Sequence, residues 1–526
     1  MFSNSIHRKI YIASLILLTI GMPLSVFLMS VSQFFLATNW VLELQFRKKW
    51  QRLKQNWPAL SLIGLFSIHL LWMINSNNYG YGWHDIKIKL PLLVLPILIG
   101  SSEVLSRNEI KWILHSLIFS VFISSAVSVA IYFGWYPRPY SDIREISIFI
   151  SHIRLSLLVN MSLFALVYYL FISRLLYKLF YLIVVFYFII FLYILDSKTG
   201  LLVFAVGVSF TSLFVAFKKL KRWGRFSLIL VVVGFIGLIG LTLIKYTDEF
   251  YQFDARPDLS IIDKFTINGE KYQHNQELNH IENGHYVFYF IASKELEREW
   301  NKRSLIDYKT GFNANGNNIK STLFHYLTSK NLRKDSLGLS QLTDEDIRAI
   351  EKGIGNYILN DKYSLYAKLY PLLSQIYYYK IDGYADGGTL VQRIEYLNLA
   401  KKIISNHFWF GTGTGDVDDA FKEQYNNGAS VLSEAFQHRA HNQFVTFLIS
   451  FGLIGFVLSM LSMWGSFFIG ESDFLKWSFL LSAFFSMLNE DTLETQAGVT
   501  FFVFFYAIFL IGRYKKSPAE TELNRL

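Results

Sequence analysis

The chain has 526 residues, 52% hydrophobic and 17% aromatic against 17% charged, with a mean hydropathy of +0.31. That is too apolar for one soluble domain and too often interrupted by charge for a single buried core. Apolar runs of about 18 or more residues recur, the pattern of a polytopic helical membrane protein. The net charge of +10 does not signal nucleic-acid binding, because Lys and Arg gather in short loops between apolar segments, where they set orientation. With no cysteine, disulfides, thiolate metal sites and cysteine nucleophiles are excluded.

In chain order the apolar segments lie near 10–21, 23–43, 57–75, 86–101, 111–134, 148–172, 179–195, 200–217, 226–245, 441–463, 477–489 and 496–512. A basic start (Arg8, Lys9) with no small-residue cleavage site reads as a first span, not a removed signal peptide. Residues 10–43 are too long for one untilted span, and Gly21-Met22-Pro23 is the expected break. Split there, the loops "FRKKWQRLKQ", "RLLYK" and "KKLKRWGR" share the cytoplasmic side with both termini. The opposite loops, "NSNNYGYGWHD", "WYPRPYSDIRE", "DSKTG" and "NEDTLETQ", are poorer in Lys and Arg. The expected fold is an all-α polytopic membrane protein of about twelve spans. Residues 1–245 would hold spans one to nine, 441–512 the last three, and 513–526 a cytoplasmic tail. Residues 246–440 would then form a large α-rich loop domain outside the cytoplasm, between the ninth and tenth spans. Within it "TINGEKY" predicts a strand turn, and "ASKELEREWNKRS" and "TDEDIRAIEKGI" predict solvated helices. There is no internal repeat.

Several unusual polar groups fall on the external side. Arg154 sits inside an apolar span, where an arginine either faces a protein interior for function or snorkels to the interface. Residues 389–407 predict an amphipathic helix with Leu390, Ile394, Leu397, Ala400 and Ile404 on its apolar face, and it carries Arg393. "GTGTGD", Gly411 to Asp416, lacks the Lys-Ser/Thr of a nucleotide-binding loop. It reads as a turn that ends a helix or offers backbone N–H groups to an anion, with Gly413 and Gly415 at its centre. His441 and Asn442 open the tenth span. His441 is either part of a polar cap or a group that accepts a proton near neutral pH. His441, Phe444, Leu448, Gly452 and Gly455 share a helical stripe that would turn the histidine inward. Two external turns, with Asp196 and Lys198 in one and Glu490, Asp491 and Glu494 in the other, read singly as solvated loops. The external histidines have no ligand-pair spacing, so neither a metal nor a cofactor is expected.

Taken together, "QRIEYLNLAKKIISNHFWFGTGTGD" followed by "HNQFVTFLISFGLIG", with "HIRLSLLVN" and "DSKTGLL" earlier, resemble the O-antigen ligase family and its related polymerases. Leu397 and Phe408 stand where that family often has tryptophan and proline. The resemblance implies a twelve-span inner-membrane glycosyltransferase working at the periplasmic face, without metal or nucleotide sugar. Its donor would be an undecaprenyl-pyrophosphate-linked glycan, and its acceptor the lipid A core or a growing glycan. It also implies His441 as general base and Arg154 and Arg393 as pyrophosphate ligands, with Asn442, Lys198, Gly413, Gly415 and Glu494 in support. Ligase and polymerase differ only in acceptor. A transporter or flippase of lipid-linked glycan is the alternative from another class, though such proteins are commonly built from repeated halves.

Overall fold

A computed structural model describes residues 3–140, 142–219, 221–361, 364–383, 385–468 and 473–513, so all but the first residue of the expected 513–526 tail lies outside the described residues. The chain is mostly helical and divides into two compact units. One comprises Met1–Arg225, Tyr396–Ser430 and Gln437–Leu526, the other Phe226–Glu395 and Val431–Phe436.

Each expected apolar segment overlaps a helix. Among the described residues seven helices are long and apolar enough to cross a membrane: Asn4–Leu24, Trp57–Asn75, Arg107–Tyr132, His152–Ile172, Leu175–Leu195, Arg222–Phe250 and Gln443–Phe468. An eighth span results if Val26–Leu42 and Phe46–Gln55, bent by 118°, count together. The segments 86–101, 477–489 and 496–512 fall on shorter helices, and 200–217 lies on Lys198–Lys219, whose apolar part is Lys198–Phe214. The first break falls at Ser25, two residues beyond Pro23. Ser25 is extended (φ −164°, ψ 115°), and its side chain accepts the N–H of Leu28 to start the next helix.

In the first unit, His152–Ile172 is the most enclosed span, its residues 154–166 all buried. Around it pack Arg107–Tyr132, Leu175–Leu195, Lys198–Lys219 and Phe474–Asn489. A polar group within residues 154–166 is enclosed by protein, which matters for Arg154.

The second unit begins with most of Arg222–Phe250, uncharged from Phe226 to Ile244, none of whose most apolar stretch is covered by protein. A helix apolar on all sides and uncovered suits a hydrocarbon environment. The polar remainder has its own core around Val287, Leu296, Trp300, Tyr326, Leu327 and Ile350. An antiparallel hairpin pairs Ile281–Glu282 with His285–Tyr286 across Asn283 and Gly284, both at positive φ (48° and 89°), as a tight two-residue turn requires. "TINGEKY" forms a turn closed by a bridge between Phe265 and Lys271. The other two stretches are the helices Ser293–Arg303 and Asp344–Glu351. They are amphipathic, not simply solvated, since Leu296, Trp300, Ile347 and Ile350 are buried.

The helix predicted at 389–407 spans Thr389–Asn406, but its buried face differs from the expected stripe. Val391, Tyr396, Leu399, Ala400 and Ile403 are buried, whereas Leu397 is 45% exposed. Of the expected stripe Ala400 is buried, Leu390, Ile394 and Ile404 are half-buried, and only Leu397 faces out, beside an inward-turned Tyr396.

Candidate active site

The helix beginning near His441 starts two residues later, at Gln443. Asn442 is its cap: Oδ1 accepts the N–H groups of Phe444 and Val445 at 3.0 and 3.1 Å. Its Nδ2 donates to the Leu488 carbonyl at 2.8 Å. The cap and the histidine are therefore different residues. His441 lies in the bend before the cap with φ +49°, a left-handed conformation that non-glycine residues adopt at a cost. It is not the first position of a helical stripe. Its half-buried ring faces those of Tyr396 and His438, with centroids 5.9 and 6.1 Å away.

The turn 489–495 is not an ordinary solvated loop. Thr492 and Leu493 are fully buried, and Glu494 gathers three donors. Gln443 Nε2 donates to Oε1 at 3.0 Å, Lys89 Nζ to Oε2 at 3.2 Å, and Arg439 Nη2 lies 3.7 Å from Oε2. Lys89, 1% exposed, also pairs with Asp85. Arg439 reaches Asp418 at 3.3 Å and donates to the Tyr81 hydroxyl at 3.4 Å. Gln443 closes the loop in reverse, its Oε1 accepting the Leu493 N–H at 2.7 Å, and Thr446 Oγ1 donates to Asp491 at 2.8 Å. Burial alone would raise the Glu494 pKa, but Lys89 and Arg439 outweigh it and hold the carboxyl far below its ordinary value. Burial likewise opposes the Arg439 charge, yet Glu494, Asp491 and Asp418 keep the guanidinium firmly protonated, its pKa raised. For Asp491 burial dominates and raises the pKa against the opposing fields of Arg439 and His441. His69, Tyr81, Lys89, Thr414, Arg439 and Glu494 line a small cavity here.

Arg154 meets the same turn. On the helix His152–Ile172 its side chain is 9% exposed, so it does not snorkel outward. Nη2 donates to the Thr492 and Asp491 carbonyls (3.3 and 3.5 Å) and to Thr495 Oγ1 (3.4 Å). Nη1, equally buried, has no hydrogen-bond partner among the described residues. A buried guanidinium held by neutral acceptors, with one nitrogen lacking an acceptor, is poised for an anion.

The glycine-rich turn does something else. The N–H groups of Thr412 and Gly413 donate to Ile449 and Ser450 carbonyls at 2.8 and 2.9 Å, and that of Gly415 to Ser76 Oγ at 2.9 Å. These donors are committed within the protein, so Gly413 and Gly415 dock backbone on backbone rather than present N–H groups to an anion. The turn wedges into the helix Gln443–Trp464 where Gly452 breaks it (φ 61°, ψ −169°). There the Leu453 and Ile454 N–H groups donate to Phe408 and Trp409 carbonyls at 2.7 and 3.3 Å. Gly452 thus interrupts the helix and does not merely smooth its face. Asp416 completes the junction by accepting the N–H groups of Asn77 and Asn78 at 2.6 and 2.7 Å.

Of the remaining expected residues, Lys198 is exposed at the start of Lys198–Lys219. The contact to the 489–495 turn comes from its neighbour Thr199, whose hydroxyl accepts from Asn489 Nδ2 at 2.5 Å. Arg393 is half-buried on Thr389–Asn406 within the second unit. Sequence reasoning missed Lys89, Arg439 and Gln443. Lys89 was discoverable, since a lysine inside the apolar run 86–101 carries the same signal as Arg154. Arg439 and Gln443 flank His441 by two residues on each side, with no periodicity to mark them.

Residues 354–460, a minority of the chain, match the O-antigen ligase family model. This match supports membership of the O-antigen ligase family. No curated protein matches the chain. The matched segment contains Arg393, the glycine-rich turn and the His441 bend, while Arg154, Lys89 and the 489–495 turn lie beyond it. The matched segment thus resembles a glycosyltransferase-like family with ligase- or polymerase-like function, and the apolar helices around it are those of a multi-pass membrane protein.

Proposed function

We propose that the protein is an O-antigen ligase-like glycosyltransferase. It moves a glycan from an undecaprenyl-pyrophosphate carrier to a hydroxyl of the lipid A core at the periplasmic face of the inner membrane. In this reading about twelve spans, some short or bent, carry the chain across with both termini cytoplasmic. His441 takes the proton of the acceptor hydroxyl, and the freed oxygen attacks the anomeric carbon. The bond from that carbon to the pyrophosphate oxygen breaks, and its electron pair leaves with the pyrophosphate. Arg154, and Arg393 as the family resemblance implies, bind that anion; such fixed charges act strongly where water is excluded. Proton transfer of this kind contributes about 10²- to 10⁴-fold in rate.

The observation that carries the reading is Arg154, buried, short of one partner, and fastened to the turn that also holds the His441 bend. Lysine there would keep the charge and lose the planar fork. Arg154→Lys is therefore expected to weaken donor use by about 10- to 100-fold, the value of one charge-assisted hydrogen bond. Unchanged donor affinity would remove the arginine from the site. Gene deletion followed by glycan gels tests the acceptor. Loss of all capped lipopolysaccharide is expected for ligation, whereas single capped repeats would assign the chain to polymerisation.

A further inference from the structure

The bend that carries His441 is gripped from both sides by one carboxylate. Arg439, two residues before the histidine, lies 3.7 Å from Glu494 Oε2, and Gln443, two residues after it, donates to Glu494 Oε1 at 3.0 Å. Lys89, from a different part of the membrane unit, reaches the same carboxylate at 3.2 Å and is 1% exposed. The turn bearing Glu494 also supplies the carbonyls of Asp491 and Thr492 to Arg154. No reacting group is needed in this arrangement. What it does is fix where His441 stands relative to Arg154, while His441 itself holds a left-handed backbone conformation that only surrounding contacts keep in place.

We propose that Glu494 is a positioning residue, charge-balanced by Lys89 and Arg439, which holds the His441 bend in register with Arg154. The inference rests on the proposed glycosyltransferase reading and adds to it three residues that act through the base rather than on substrate. Its physical basis is the asymmetry of buried charge. A paired buried carboxylate is tolerated, and neutralising it leaves Lys89 to Asp85 and Arg439 to Asp418, which loosens both anchors of the bend without leaving either cation unpaired. A shift of about 1 Å at a reacting group costs about 10²-fold in rate.

The test compares Glu494→Gln, Glu494→Asp and His441→Ala as full-length protein in proteoliposomes. Each is assayed for kcat, donor KM and thermal unfolding midpoint, using a lipid-pyrophosphate-linked glycan as probe. Glu494→Gln is expected to lower kcat by about 10²-fold, with donor KM changed less than about twofold and the unfolding midpoint retained. Glu494→Asp, which keeps the charge on a shorter side chain, is expected to retain more of the kcat than Glu494→Gln. Wild-type kcat in Glu494→Gln, or a parallel fall of kcat, KM and unfolding midpoint with no recovery in Glu494→Asp, overturns the positioning role. His441→Ala separates the two claims. If it is inactive while Glu494→Gln is normal, only positioning fails, and if it is fully active the role of His441 as base, on which the positioning rests, fails with it.

Discussion

Replacing Gly452 by alanine attacks the junction between the glycine-rich turn and the helix Gln443–Trp464. A Cβ at this position would lie 2.4 Å from Phe410 N and Trp409 C and 2.5 Å from Gly411 N, all backbone atoms that cannot rotate away. The conformation itself, φ 61° and ψ −169°, belongs to a region essentially reserved for glycine, a penalty of about 1–3 kcal/mol. Forcing apart two close-packed backbones adds about 1–3 kcal/mol. Separation also endangers the hydrogen bonds from Thr412, Gly413, Leu453 and Ile454, each worth about 1 kcal/mol net. A loss of about 3–6 kcal/mol is expected, a large fraction of a typical folding free energy. The control is Gly465→Ala near the end of the same helix. There the backbone is helical (φ −55°, ψ −40°) and nothing lies within 4 Å of an added Cβ, so stability should hold or rise slightly. Thermal unfolding of both full-length variants in detergent reads the difference. Equal midpoints for Gly452→Ala and Gly465→Ala would refute the interlocked-turn account.

Lys334, buried in the second unit with its ammonium donating to the Tyr289 carbonyl, is pushed by burial from the ordinary lysine value down to about 7. The unfolded chain holds that proton to far higher pH, so unfolding takes up a proton between the two values and stability rises with pH across that window. Between pH 7 and 9 the opening free energy of amides near Lys334, such as Ala292, should increase by about 2 kcal/mol in hydrogen exchange, and Lys334→Met should flatten the dependence. Asn442→Ala removes the helix cap and the bond to Leu488, and should cost about 1–2 kcal/mol of stability in thermal unfolding. An unchanged midpoint would mean the cap is dispensable.

The parts of this molecule legible in its sequence are those set by local pattern. Apolar runs of span length became helices, the break near Pro23 appeared within two residues of its expected place, and Arg154 lay in protein. Such features depend on neighbours in sequence. What escaped depends on distant backbone. Gly452 was read as a packing glycine because only the docking of residues 408–413 makes it a helix break. His441 and Asn442 were read as one feature, although a cap needs a residue outside the helix and the histidine precedes even that. The acidic turn 489–495 resembled solvent-facing charge because its partners Lys89 and Arg439 come from other parts of the chain. A carboxylate's role is set by what neutralises it, and that pairing has no local signature.

The central claim, that His441 is the base of a lipid-linked glycan transferase, is tested most directly by His441→Ala. The variant is purified and reconstituted with an undecaprenyl-pyrophosphate-linked glycan and lipid A core, and covalent product is counted per turnover. The account predicts a loss of about 10²- to 10⁴-fold in transfer, with donor binding and the unfolding midpoint preserved. Transfer at the wild-type rate would contradict it.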